Sequence, residues 1–142
     1  MECNLSKALD LLNTGNYTCV VCREDTVYTT TQRGVAPLLS WLDNHTDLRD
    51  FSAADRVVGR GAAFLYCLLG VKEVRARVMS YPAMEVLRAY GIRAEADTFV
   101  DNIINRAGTG PCPFEAAVMH IQKADEALVA IRAKRRQMLE AK

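Results

Sequence analysis

The sequence predicts an α/β domain, a three-layer α/β/α sandwich on a mixed sheet of about four to five strands. Three observations predict it. Segments with apolar residues three and four apart alternate with β-branched runs of strand length. Helices that link strands of one sheet must pack on its faces, which makes layers. The chain has 142 residues, 50% hydrophobic and 25% charged, enough to bury one core, and no linker, repeat or low-complexity segment divides it. Residues 1–142 therefore read as one domain.

Leu5, Ala8, Leu9 and Leu12 form one face of a first helix, which Gly15 ends. "YTCVVCRE" (17–24) and "TVYTTTQ" (26–32) are β-branched and aromatic around a short acidic turn, and read as a hairpin. Gly34 and Pro37 open a helix carrying Val35, Leu38, Leu39 and Leu42. "NHTDLRDFS" (44–52) reads as a polar loop. In "DRVVGRGAAFLYCLLG" (55–70) nearly every residue from Val57 to Leu69 is apolar, so it reads as a helix buried on most sides. "KEVRARVMS" (72–80) alternates Val74, Ala76 and Val78 with charges and predicts a strand. Ser80 and Pro82 open the helix "AMEVLRAY", stopped by Gly91, and "AEADTFV" (94–100) is a further strand. Residues 113–140 read as helical, with a break near Ile121 to Asp125.

The net charge of +1 gives no electrostatic footprint for a nucleic acid polymer or an acidic membrane. Lys134-Arg135-Arg136 suits the C-terminal turn of a helix, where cations offset the dipole. No apolar run approaches the roughly 20 residues that span a bilayer, and the start lacks the pattern of a signal peptide. Five cysteines at irregular spacing form no disulfide framework. A cytoplasmic protein with reduced thiols is the expectation. Cys19 and Cys22 lie three apart on a strand and should point to opposite faces, so they share no metal. Cys67 belongs to the core. His45 and His120 have no partner at ligand spacing.

Two stretches collect the chemistry. In "GRGAA", Arg60 stands between Gly59 and Gly61 at a helix start, where free N–H groups favour an anion and Arg60 could add a fork of donors. The same glycines would also serve tight packing, with Arg60 solvated. The stretch is neither a Walker loop nor a dinucleotide fingerprint. In "NRAGTGPCPFE", Pro113 suits the first helical position. That makes Cys112 the cap and lets Glu115 reach back to the Cys112 N–H, half of a capping box. A thiol at a helix start, helped by Arg106, has its thiolate favoured, whereas Glu115 opposes this and no histidine is placed as a base. Asn105 and Arg106 could clamp an anion or hold the turn. Asp55 could cap the helix that follows it or pair with Arg106 or Arg60.

"DRVVGRGAAFLY", "VMSYPAMEVLRAYGI" and "IINRAGTGPCPFE" together resemble a prokaryotic domain-of-unknown-function family whose fold is cytidine deaminase-like, over about residues 5–132. The resemblance implies a pocket at the helix starts and invites a test for zinc. Zinc deaminases carry a His or Cys and a Glu at one helix start and P-C-x-x-C at the next. Here the first helix starts Gly59-Arg60-Gly61-Ala62, and in the second Ala83 and Val86 stand where cysteines would be. No zinc and no other cofactor is expected.

Three functions fit. The first is a binding module for a small anionic, nucleotide-like molecule held by Asp55, Gly59, Arg60, Gly61, Asn105 and Arg106. The second is a thiol enzyme with Cys112 as nucleophile and Glu115 as the other candidate catalytic residue. The third is a structural protein acting as a homodimer.

Overall fold

The computed structural model describes residues 2–32, 34–104, 108, 110 and 112–140. Asn105 and Arg106 lie outside the described residues. In chain order the elements are α1 (Glu2–Thr14), β1 (Cys19–Arg23), β2 (Thr26–Thr30), α2 (Ala36–Asp43), β3 (Ser52–Val58), α3 (Arg60–Leu69), β4 (Glu73–Ser80), α4 (Tyr81–Ala89), β5 (Arg93–Val100), α5 (Pro113–Ala117) and α6 (Ala124–Glu140). The five strands form one mixed sheet in the order β2-β1-β3-β4-β5. β1 pairs antiparallel with both β2 and β3, whereas β3, β4 and β5 run parallel.

Two apolar clusters make the layers. Ala8 and Leu12 of α1 pack with Val20, Cys22 and Ala54 on one face. The larger cluster joins Cys19, Val21, Ala53, Val74 and Ala76 to α2, α3, α4 and α6 on the other. Cys19 and Cys22 thus point to opposite faces, as period-two alternation requires. α1 packs mainly on β1 and β3, and its Asn13 accepts a hydrogen bond from Arg77 of β4. Beyond it the sheet carries Arg75 paired with Glu95 and Asp97 on neighbouring β5.

The predicted three-layer fold is the observed one, with one correction inside it. The expected helix over 55–70 begins only at Arg60, because Ser52–Val58 forms β3 in the middle of the sheet. "SAADRVV" hides this strand. Alanine and aspartate are poor strand formers in isolation, and burial on both faces removes any polar alternation. A single residue, Gly59, then turns the strand into α3, so one apolar run covers two elements.

α3 does read as its sequence suggests. Seven of its residues, Gly61 to Tyr66 and Leu69, are buried between the sheet and four neighbouring helices. It ends at Gly70, whose φ of 78° is left-handed and whose N–H reaches the carbonyls of Tyr66 and Cys67. The break expected in the last third falls between α5 and α6. Along β3 the inward positions are Ala53 and Val58, and along β4 Val74, Ala76 and Met79, so the alternation slips by one residue in both strands. That slip leaves Asp55, Arg56 and Val57 together on the wall of one cavity.

Candidate functional site

Parallel β3 and antiparallel β1 bring the starts of α2 and α3 to the same end of the sheet, and α5 folds over them. Between them lies a cavity of about 370 Å³. Val35, Val57, Ala62, Ile103 and Phe114 make its apolar wall, and Thr18, Asp55, Arg56, Cys112 and Glu115 bring polar groups to it.

The start of α3 is occupied by the protein itself. Glu115 accepts hydrogen bonds from the Arg60 N–H at 2.8 Å and the Gly61 N–H at 3.2 Å. A carboxylate there satisfies two orphan donors and meets the positive end of the helix dipole. This corrects the capping box: Glu115 does not reach back to Cys112 but caps a helix 55 residues earlier in the chain. Gly59 allows the approach, since a Cβ there would lie 2.0 Å from Glu115 Oε1. Its backbone is extended and demands no glycine (φ −99°, ψ −179°). Burial raises the Glu115 pKa, and the two N–H bonds and the Arg60 charge oppose that rise.

Arg60 points away from the cavity. Its Nε donates to the Val118 carbonyl at 3.2 Å, its terminal nitrogen to the Ile121 carbonyl, and its guanidinium lies 5.1 Å above the Phe64 ring. It holds the α5–α6 connection against α3, so neither a solvated Arg60 nor an anion fork describes it. Gly61 packs on Phe114 and Ile131 at ordinary contact distances, 3.5–3.6 Å from a built Cβ.

Asp55 is neither a helix cap nor paired with Arg60. It sits on β3 opposite Cys19 of β1. It accepts from the Arg56 N–H at 2.8 Å and from the Tyr66 hydroxyl at 2.6 Å, and Cys19 Sγ lies 3.1 Å from that hydroxyl. Since the one hydroxyl proton of Tyr66 goes to the carboxylate, the Cys19 thiol donates in turn. Burial pushes the Asp55 carboxyl up to about 6 against the hydrogen bonds that favour its charge. Burial, and then the nearby Asp55 charge, also raise Cys19 and Tyr66 well above their usual values. Nothing in the sequence singles out Tyr66 or Cys19 here, because both read as core.

Of the residues expected to meet, Asp55, Gly59, Cys112 and Glu115 share the cavity wall, and Arg60 and Gly61 do not. Cys112 is the N-cap of α5 by its backbone, with no hydrogen bond from its thiol to that helix. The starts of α3 and α5 are joined at the cavity by that of α2, through Gly34 and Val35, and not by that of α4. Ala83 and Val86 are core positions of α4, whose cap is the Ser80 hydroxyl. They therefore say nothing about a metal at this cavity. Among the described residues no three His, Cys, Asp or Glu side chains gather to hold a metal ion. No described helix is long and apolar enough to cross a membrane.

Comparison with known proteins adds the family. A search among curated proteins found no match. A solved structure described as a DUF1893 family protein (TM1506) from Thermotoga maritima superposes with a TM-score of 0.87 at 20% identity. The match covers 94% of this chain and 91% of that one, which establishes a shared fold. The family model described as a domain of unknown function, DUF1893, matches residues 7–134. With nearly its whole length matched, this chain belongs to the DUF1893 family.

Proposed function

We propose that this domain is a small-molecule binding module whose ligand occupies the cavity between α2, α3 and α5. The observation that carries the reading is the cavity's build. Its size falls in the usual range for ligand sites, and a mostly apolar wall carries a few converging polar groups. Cys112 lies on the same wall, but no histidine does, and Glu115 is engaged as a cap. A thiol without a free base favours binding over nucleophilic catalysis.

A fragment screen read by amide chemical shifts tests this. Fragments should shift Val35, Val57, Gly59, Ala62 and Cys112 together. Val57 is 48% exposed where the wall meets the surface, so Val57→Trp should block the cavity with less than about 0.5 kcal/mol change in stability. Shifts that survive this substitution, or that map to another face, would place binding elsewhere.

A further inference from the structure

The walls of this cavity are unevenly charged. The N–H donors at the start of α3 are committed within the chain, and Arg56 commits its Nε. The α3 N–H groups hold Glu115, Arg60 is bonded to the carbonyls of Val118 and Ile121, and Arg56 Nε donates to the Tyr17 carbonyl at 2.8 Å. The acceptors are less fully used. Asp55 accepts from the Tyr66 hydroxyl and from the N–H groups of Arg56 and Val57, but has no ion-pair partner among the described residues. An enclosed carboxylate without a counter-charge is costly, and the open side of this one is the cavity.

We infer that the cavity takes a small organic cation bearing N–H donors, an amine or amidine, with Asp55 as its counter-ion. This rests on the binding site proposed above and names the ligand's chemical class. The cation would complete what Tyr66 and Arg56 begin. Their fixed donors orient the carboxylate, so its remaining lone pairs face an incoming N–H without reorganisation. The apolar wall of Val35, Ala62 and Phe114 suits a flat hydrocarbon body behind the charged group. An anion would have to displace Glu115 from α3 and lie beside Asp55.

The binding should depend on pH. Asp55 is faced by Tyr66 from α3, Cys19 from β1 and its neighbour Arg56, and it shares the cavity wall with Thr18 and Glu115. With its carboxyl titrating near 6, a cation's affinity should fall about tenfold between pH 7.5 and pH 5.

Benzamidine is the probe, with neutral benzamide, benzoate and inorganic phosphate as comparators, each titrated into the full chain and followed by amide shifts. Benzamidine should move the cavity amides with at least tenfold higher affinity than benzamide, lose that advantage at pH 5, and lose it in Asp55→Asn. The pH series on the wild type carries the test if the variant is poorly folded. Benzamide, benzoate or phosphate binding the cavity as well as benzamidine would leave the site standing and overturn the cationic ligand. So would benzamidine binding that is indifferent to Asp55→Asn and to pH. Benzamidine that binds tightly only after Arg106→Ala would show that the counter-ion is the chain's own, and would overturn the inference. If screen fragments move the cavity amides and benzamidine does not, the cation falls alone. If nothing moves them, the binding site falls with it.

Discussion

Replacing Glu115 with alanine is expected to destabilise the protein by about 2 kcal/mol, since two N–H groups at a partly buried helix start lose their acceptor. Gly59→Ala should cost a similar amount, about 2–3 kcal/mol, for a linked reason. Its Cβ would overlap Glu115 Oε1 at 2.0 Å and Cδ at 2.5 Å, so the carboxylate must leave. The two changes remove one interaction and should not add. With Glu115 gone, the tightest remaining contact of the new methyl is Ile103 Cγ1 at 3.1 Å, a side chain that can shift. The second substitution should then cost under about 1 kcal/mol, a coupling of roughly 1–2 kcal/mol in a double-mutant cycle. Urea unfolding of the four proteins measures it. Additive costs would mean that Gly59 is required by something other than the cap.

Asp55→Asn should have the opposite sign at neutral pH and above. The folded carboxyl titrates near 6, against 3.8 for the ordinary group, so the folded state binds the proton more tightly than the unfolded chain. At pH 8 the wild type carries a buried charge that asparagine lacks, and the variant should be more stable by about 1–3 kcal/mol. As pH falls through 6 the folded wild type takes up its proton and regains that stability. The advantage of asparagine should be gone near pH 4, where Asp55 is largely neutral in the folded state and half neutral in the unfolded one. Tyr66 can keep its place by accepting from the new amide and donating to Cys19. Denaturation at pH 8, 6 and 4 supplies the comparison. A variant less stable than wild type by the same amount at every pH would show that the charge is compensated within the chain.

The reach of sequence reasoning followed the range of the physics. Local patterns were legible: the apolar face of α1, the hairpin of β1 and β2, and the glycine stop of α3 each depend on residues within a turn or two. β3 was lost because its evidence is its neighbours. Ala53 and Ala54 become strand residues by pairing with β1 and β4, not by preference. The site divided the same way. Asp55, Gly59, Cys112 and Glu115 were legible as chemically unusual, and they do share a wall. Which helix Glu115 caps could not be read from spacing, since its partner is remote in sequence. The contacts of Arg60 are illegible for the same reason, because the carbonyls it holds lie beyond α5. The Asp55–Tyr66–Cys19 chain was invisible because a buried tyrosine and cysteine carry no polar signature of their own.

The long span between Glu115 and the helix it caps sets an order of events during synthesis. β3 and α3 leave the ribosome well before the residue that closes the start of α3, with 55 positions between Arg60 and Glu115. At about 5–20 residues per second, the emerging chain carries an open helix end for several seconds. The parallel strands also come later, β4 beside β3 and then β5 beside β4, so this part of the sheet is the slow, non-local part of assembly. Nascent chains stalled before residue 115 should be cut readily by protease near Gly59. Chains released at full length, with α5 and α6 both packed on α3, should resist.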